Sequence, residues 1–475
     1  MLSSVVQALL FVWFFIAIIL FSKMSSPRAL IFGILAAIMF LPMASYDISL
    51  IPGRKDVYAN LGLLVAALLL DPQPLLAFRP RLVDLPMILL CITPFISATA
   101  NGQAPYNAFA SSMAAVVTWG LPYLLGRSYL TNVQSLWQMA HGIFIAGLIY
   151  APGCIFEMFM GPTLHERVYG TPAFPDFLQS MRWGGYRPTM FMQHGLMVGT
   201  FMCCAAMMGI WLWTNKAHRK FYALPAVPTI GFLLAVAIWC KSTGAIILMV
   251  IGLGVLFFTR FMRNGVLVYL LATAPLVYVL ARTVGGWTGD NAVQFATDYL
   301  SVDSGGSLQV RFGNENVLVE RAMLKPLFGF GTDGEFLIKD SDNRITSIPD
   351  GLWVIALGSG GLVGLAALFG CMIVPTLAFI RRFPARTWGH PAMAAPAALG
   401  VFLITYAFDC LMNAMINPVY LVALGGVAAL SVSNDLMPRR PGQPRQSGKT
   451  QSPGPRRQQV TISTRMPPLP AVPNR

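Results

Sequence analysis

Long apolar runs recur from one end of the chain to the other, broken by short polar connections, and this pattern predicts a bundle of membrane helices. A helix needs roughly 17–25 apolar residues to cross about 30 Å of hydrocarbon. Segments of that kind are read at 5–21, 28–44, 57–71, 84–100, 107–125, 135–155, 188–213, 221–240, 243–259, 265–283, 350–380, 392–411 and 413–432. Irregular backbone cannot face lipid, and the alternating strands of a transmembrane barrel are missing. The expected fold class is therefore all-α and polytopic, with about 11–13 transmembrane helices over residues 1–436. The first segment has no basic leader and no small-residue cleavage site, so it reads as a retained helix.

Two longer polar stretches interrupt the pattern, at about 156–187 and 284–350. The second holds ten of the nineteen acidic residues, with Arg311 near its middle and an amphipathic run over 315–325. A hydrophobic chain does not need so long a charged connection merely to join two helices. Chemistry is expected beneath it.

Basic residues orient the bundle. One set of short connections carries Lys23, Arg28, Arg79, Arg81, Arg127, Lys216, Arg219, Lys220, Arg260, Arg263, Arg381, Arg382 and Arg386; the opposite set carries Arg54, Lys55 and Lys241. The positive-inside rule makes the first set cytoplasmic. Four predicted helices separate the two long loops, so both are expected on the extracytoplasmic face.

The net charge of +14 suggests nucleic acid until its distribution is considered. Residues 437–475 hold eight Lys/Arg, nine prolines and no acid; without them 25 basic face 19 acidic residues, a net +6. That basic, Pro-rich tail cannot bury a core and is expected to be disordered and cytoplasmic, either solvated or against anionic headgroups. No nucleic-acid partner is expected; the lipid bilayer is. With 56% hydrophobic and 11% charged residues, a soluble domain is excluded. The seven cysteines lie in or beside apolar segments without CxxC spacing, and read as packing residues.

Candidate chemistry begins at 184–195. Pro188 disfavours a helical Arg187, so a helix is expected to start just after it, with Arg187 at its mouth and His194 about two turns deeper. Arg187 could grip a diphosphate bidentately or simply snorkel; His194 could serve as a base or as a hydrogen-bonded core imidazole. Lys241 and Ser242 lie at a tight junction of two helices, as an interfacial anchor or a second cation facing the same cavity. Asp409, Asn413 and Asn417 recur at i, i+4 and i+8, a polar stripe if that stretch is helical, serving substrate or a structural network. Glu157 reads as an interface residue. There is no nucleotide-binding glycine loop and no His-Glu-x-x-His pair, so no cofactor or metal is expected.

The ordered features resemble the O-antigen ligase/polymerase family of bacterial surface-polysaccharide membrane proteins, over about 80–430. The matching pieces are Leu121-Pro122-Tyr123-Leu124-Leu125-Gly126-Arg127, the Arg187-Pro188…His194 entry, Lys241-Ser242-Thr243-Gly244 where members commonly have Ser-Arg-Gly, and Arg311. They continue with Lys325-Pro326-Leu327-Phe328-Gly329-Phe330-Gly331 and Gly360-Gly361-Leu362-Val363-Gly364-Leu365. The resemblance implies a membrane-embedded glycosyltransferase of the lipid-phosphosugar class, working without metal at the periplasmic face of the bacterial inner membrane. Its implied donor is an undecaprenyl-diphosphate-linked glycan, and other polysaccharide assembly or export proteins are implied partners. Arg187 and Arg311 match diphosphate-holding arginines, and Lys241 replaces a third. Ligase-type members carry a His-Asn pair where this chain has Ile348-Pro349-Asp350-Gly351. Polymerase is therefore the expectation, with Asp350 or His194 as base; ligase and lipid-linked glycan transporter are the alternatives.

Overall fold

The computed structural model describes residues 4–44, 52–174, 176–216, 220–221, 224–300, 302–331 and 334–433, so the tail at 437–475 lies outside the described residues. The first long helices are α1 (Ser4–Lys23), α2 (Ser26–Phe40), α3 (Lys55–Leu70), α4 (Leu85–Ala100), α5 (Pro105–Tyr129) and α6 (Val133–Met160). There follow α7 (Gly195–Thr214), α8 (Ala226–Trp239), α9 (Thr243–Met262) and α10 (Val266–Thr283). After α11 (Asp290–Tyr299) and α12 (Val302–Ala322), the bundle closes with α13 (Leu352–Arg382), α14 (Pro391–Met412) and α15 (Pro418–Val432).

Among the described residues, nine helices are long and apolar enough to cross a membrane: α1, α4, α5, α6, α7, α9, α10, α13 and α14. The chain is thus an all-α, multi-pass membrane protein. Three further apolar helices, α2, α8 and α15, have 14 or 15 residues. At about 1.5 Å per residue each covers only ~22 Å. The apolar helices divide into centre and periphery. The spanning windows of α7 and α14 are 89% buried against 28% for α1 and 33% for α9 and α10, so α7 and α14 lie at the centre and α1, α9 and α10 are the least enclosed.

Local sequence explains several boundaries. Asn132 caps α6 by accepting from the Ser135 N–H at 2.9 Å, and Asn417 caps α15 by accepting from Val419 at 3.0 Å. Pro105, Pro391 and Pro418 open their helices where a missing N–H does no harm. All seven cysteines are buried and unpaired.

The long polar stretch over 284–350 contains α11 and α12. The amphipathic run belongs to a longer helix because Phe312, Glu315, Leu318, Val319 and Ala322 share one buried face. Behind it, 325–331 is sewn into α13. Gly361 takes φ +63° there, and the Leu362 N–H donates to the Pro326 carbonyl at 2.7 Å while Phe330 donates to Gly358 at 2.8 Å. A Cβ on Gly361 would lie 2.4 Å from the Leu327 carbonyl, so glycine is required on both counts. Ser97 of α4 donates to the carbonyls of Phe328 and Ser359, and Asn101 to that of Gly329. The Lys325–Gly331 and Gly360–Leu365 motifs are therefore two halves of one joint.

At the opposite end of α5, Arg127 pairs with Asp84 at 3.0 Å and Tyr123 donates to the same carboxylate at 2.6 Å. The Leu121–Arg127 motif is thus a structural clamp.

Candidate functional site

Both long loops meet at one end of the bundle, where they close over two adjoining cavities of ≈ 350 and ≈ 710 Å³. The smaller is lined by Arg182, Arg187, Lys241, Ser242, Arg311, Asp409 and Asn413, the larger by Arg182, Arg187, His194, Arg311, Asp350 and Asn413. Arg187, His194, Lys241, Ser242, Arg311, Asp350, Asp409 and Asn413 thus line one region, whereas Glu157 and Asn417, also singled out in the sequence, line neither cavity.

Their local placement differs from expectation in three respects. First, no helix starts after Pro188; α7 starts at Gly195, and 187–194 is irregular. The segment is held by side chains from all round. Glu157 accepts from the N–H groups of Thr189 at 2.8 Å, Met190 at 2.7 Å and Leu164 at 2.9 Å, and the Arg187 N–H donates to the Ser180 carbonyl at 2.7 Å. Tyr150 accepts from Phe191 at 3.1 Å, and buried Lys55 donates to the Phe191 carbonyl. These bonds offer the backbone an alternative to a helical ladder. Glu157 is consequently a keystone under the site.

Second, His194 is not two turns deep. It caps α7, its Nδ1 accepting the Leu196 N–H at 3.1 Å. Burial, then the charges of Arg187, Arg311 and Arg182, pull its pKa down to about 4, so the ring is neutral. With Nδ1 occupied as an acceptor, Nε2 carries the proton. In this tautomer His194 presents an N–H donor.

Third, Asp409, Asn413 and Asn417 do not form a helical stripe. α14 ends at Met412, 413–417 is irregular with Asn413 and Asn417 extended, and Pro418 restarts the helix. Asn413 Nδ2 turns back to donate to Asp409 Oδ1 at 2.7 Å.

Arg187 is 6% exposed. Its Nη2 donates to the Lys241 carbonyl at 2.9 Å, which is turned inward because Lys241 adopts φ +54°, rare for a side-chain-bearing residue. Burial, then Arg182 and Arg311 nearby, lower its pKa to about 10. The arginine also depends on Gly195, where an added Cβ would meet Arg187 Cγ and Cδ at 2.5 Å. Arg311 has no carboxylate within ion-pair distance among the described residues, though it is close enough to draw down the carboxyl of Asp350 against the upward push of burial. Four cations and one carboxylate, Asp409, therefore line the smaller cavity.

Arg311 owes its position to a buried knot one turn further along α12. Glu315 accepts from Tyr278 at 2.8 Å, Trp353 at 3.1 Å and Arg282 at 3.2 Å, tying α12 to α10 and α13. Arg182 was not singled out in the sequence. It lies on a hairpin pairing Met181–Arg182 with Gly185–Tyr186, whose turn residues Trp183 and Gly184 both have positive φ. The Trp-Gly-Gly run was its available signal.

Among the described residues, no three His, Cys, Asp or Glu side chains come together as metal ligands. No known family model matches the chain, and no curated protein matches it.

Proposed function

We propose that the protein is a polysaccharide polymerase that transfers a glycan from an undecaprenyl-diphosphate carrier to a lipid-linked acceptor. The observation that carries this reading is the smaller cavity: Arg182, Arg187, Lys241 and Arg311 face it from the polar end, while Leu196, Ile247, Leu248, Phe408 and Leu411 supply an apolar wall. Four cations against one carboxylate, beside apolar helix surface, suit an anionic head on a lipid tail. Arginine forks match phosphate oxygens bidentately, and partial burial strengthens each contact.

In this reading the diphosphate lies between Arg187 and Arg311, and Lys241 and the Nε2–H of His194 add donors. The acceptor hydroxyl attacks the anomeric carbon, the bond from that carbon to the diphosphate oxygen breaks, and the diphosphate leaves with the electron pair. Preorganised cations stabilise the charge that develops there. Asp350, in the larger cavity, takes the hydroxyl proton, and Asp409 with Asn413 positions sugar hydroxyls.

The same reading places the cavity at the periplasmic face of the bacterial inner membrane, with the basic connections and C-terminus cytoplasmic, and identifies the chain with the O-antigen ligase/polymerase family. A ligase would use the same donor site with a different acceptor. Glycan-length analysis of a deletion strain tests the assignment. Single lipid-linked repeats support a polymerase, unattached full-length polymer indicates a ligase, and an unchanged glycan profile refutes both.

A further inference from the structure

A third chamber, of ≈ 270 Å³, adjoins the larger cavity and shares Arg187, His194, Phe174 and Gln179 with it. Its remaining polar lining is Thr163, Glu166 within the short Leu164–Tyr169 helix, Asp176, Ser180 and Thr189. Phe174 and Phe177 supply apolar faces, and Phe174 stands edge-on to His194 with centroids 4.7 Å apart.

Two features point to a ligand. The lining combines carboxylates, an amide and hydroxyls with flat aromatic rings, which together match the hydroxyl-bearing edges and C–H faces of a sugar ring. Independently, Arg187 is more than nine-tenths buried, yet Nη2 is the only one of its guanidinium nitrogens with a hydrogen-bond partner among the described residues, and Nη1, unlike the sealed Nε, is not cut off from the spaces this arginine lines. Buried polar groups normally have partners, and a guanidinium carries five donors. A polar ligand supplies what the protein leaves open.

Size and enclosure decide which sugar. The sugar at the reacting end of a donor is bonded both to diphosphate and to the rest of its chain, so it needs a passage open at two sides. The non-reducing end of an acceptor is a terminus and needs an opening on one side only, and this chamber, the smallest of the three, adjoins the larger cavity. We propose that this chamber, bounded by Glu166, Phe174, Asp176 and Gln179, binds the terminal pyranose of the acceptor. Its hydroxyl is thereby presented across Arg187 and His194 to the donor cavity. This inference rests on the glycan-transfer reading above and adds to it the acceptor's binding site.

Saturation-transfer NMR on the full-length protein in detergent tests it, using methyl glucoside, galactoside, mannoside, N-acetylglucosaminide and glucuronide as probes. At least one methyl pyranoside should show transfer, weakened about tenfold or more by Glu166→Gln with Asp176→Asn, since each change removes a charge-assisted hydrogen bond. Farnesyl diphosphate binding, measured in parallel, should not change with those substitutions. No transfer from any of the five, or transfer indifferent to the substitutions, overturns the chamber assignment whether or not farnesyl diphosphate binds. Pyranoside transfer that depends on them, in a protein that does not bind farnesyl diphosphate, upholds the chamber and overturns the lipid-diphosphate reading instead.

Discussion

The Arg187 guanidinium donates through Nη2 to the backbone carbonyl of Lys241 at 2.9 Å, joining the first long loop to the junction of α8 and α9. Each residue needs the other's placement: Lys241 must adopt φ +54° to aim its carbonyl, and Arg187 must lie flat over Gly195 to reach it. In the proposed reading the pair fixes where the diphosphate sits.

Gly195→Ala is expected to mimic loss of Arg187. The new methyl would fall 2.5 Å from Arg187 Cγ and Cδ, and the side chain must swing away. A misplacement of about 1 Å at a reacting centre can cost ~10²-fold in rate. Glycan transfer by purified protein should fall by that order, with expression and membrane insertion unchanged.

Glu315→Ala should destabilise the fold strongly. Arg282 and Glu315 are each 1% exposed at the side chain, so removing the carboxylate leaves a buried guanidinium without its partner. Such losses cost about 3–5 kcal/mol, readable as a drop in thermal unfolding temperature in detergent. Glu315→Gln can still accept from Trp353 through its amide oxygen and donate to the Tyr278 hydroxyl through its NH2, and should lose less.

His194 gives a pH signature in stability. Its native pKa near 4 lies below the usual 6.5, so between those values the unfolded chain binds the extra proton. Stability should be level above pH 6.5 and fall as the pH drops toward 4, by about 1.4 kcal/mol per unit within the window. His194→Asn preserves an N-cap acceptor and should flatten this slope relative to wild type. An unchanged slope would remove His194 as its source.

Asp350 gives a pH signature in rate. Burial raises its pKa and Arg311 opposes the rise. Only the ionised form can accept the acceptor's proton, so kcat/KM should decline on the acid side, with a midpoint above the ordinary carboxylate value. Asp350→Asn should abolish this limb and lower kcat by about 10²-fold or more. A limb that persists would place the base elsewhere.

Much of this site was legible because topology can be counted. The parity of helices between 156–187 and 284–350 put Arg187, Lys241, Arg311 and Asp350 at one end, and cavity lining joins them there. What stayed hidden depends on tertiary bonds. The irregular 187–194 backbone is stabilised by Glu157, Tyr150 and Lys55, which lie 30 to over 130 residues away in sequence, so local pattern favours a helix there. Arg182 is aimed by a two-residue hairpin too short for any periodicity to register. The break after Met412 did leave a trace, since Asn417-Pro418 is a helix-start signal. The predicted segments 392–411 and 413–432 already contain that break; what the apolar run from Ala414 to Ile416 hid is that the next helix waits until Pro418.

The most direct measurement is polymer length in the deletion strain complemented with Arg187→Ala or Arg311→Ala. If these arginines hold the lipid diphosphate, both variants reach the membrane at wild-type levels and yield only single repeats. Normal-length polymer from both would contradict the assignment.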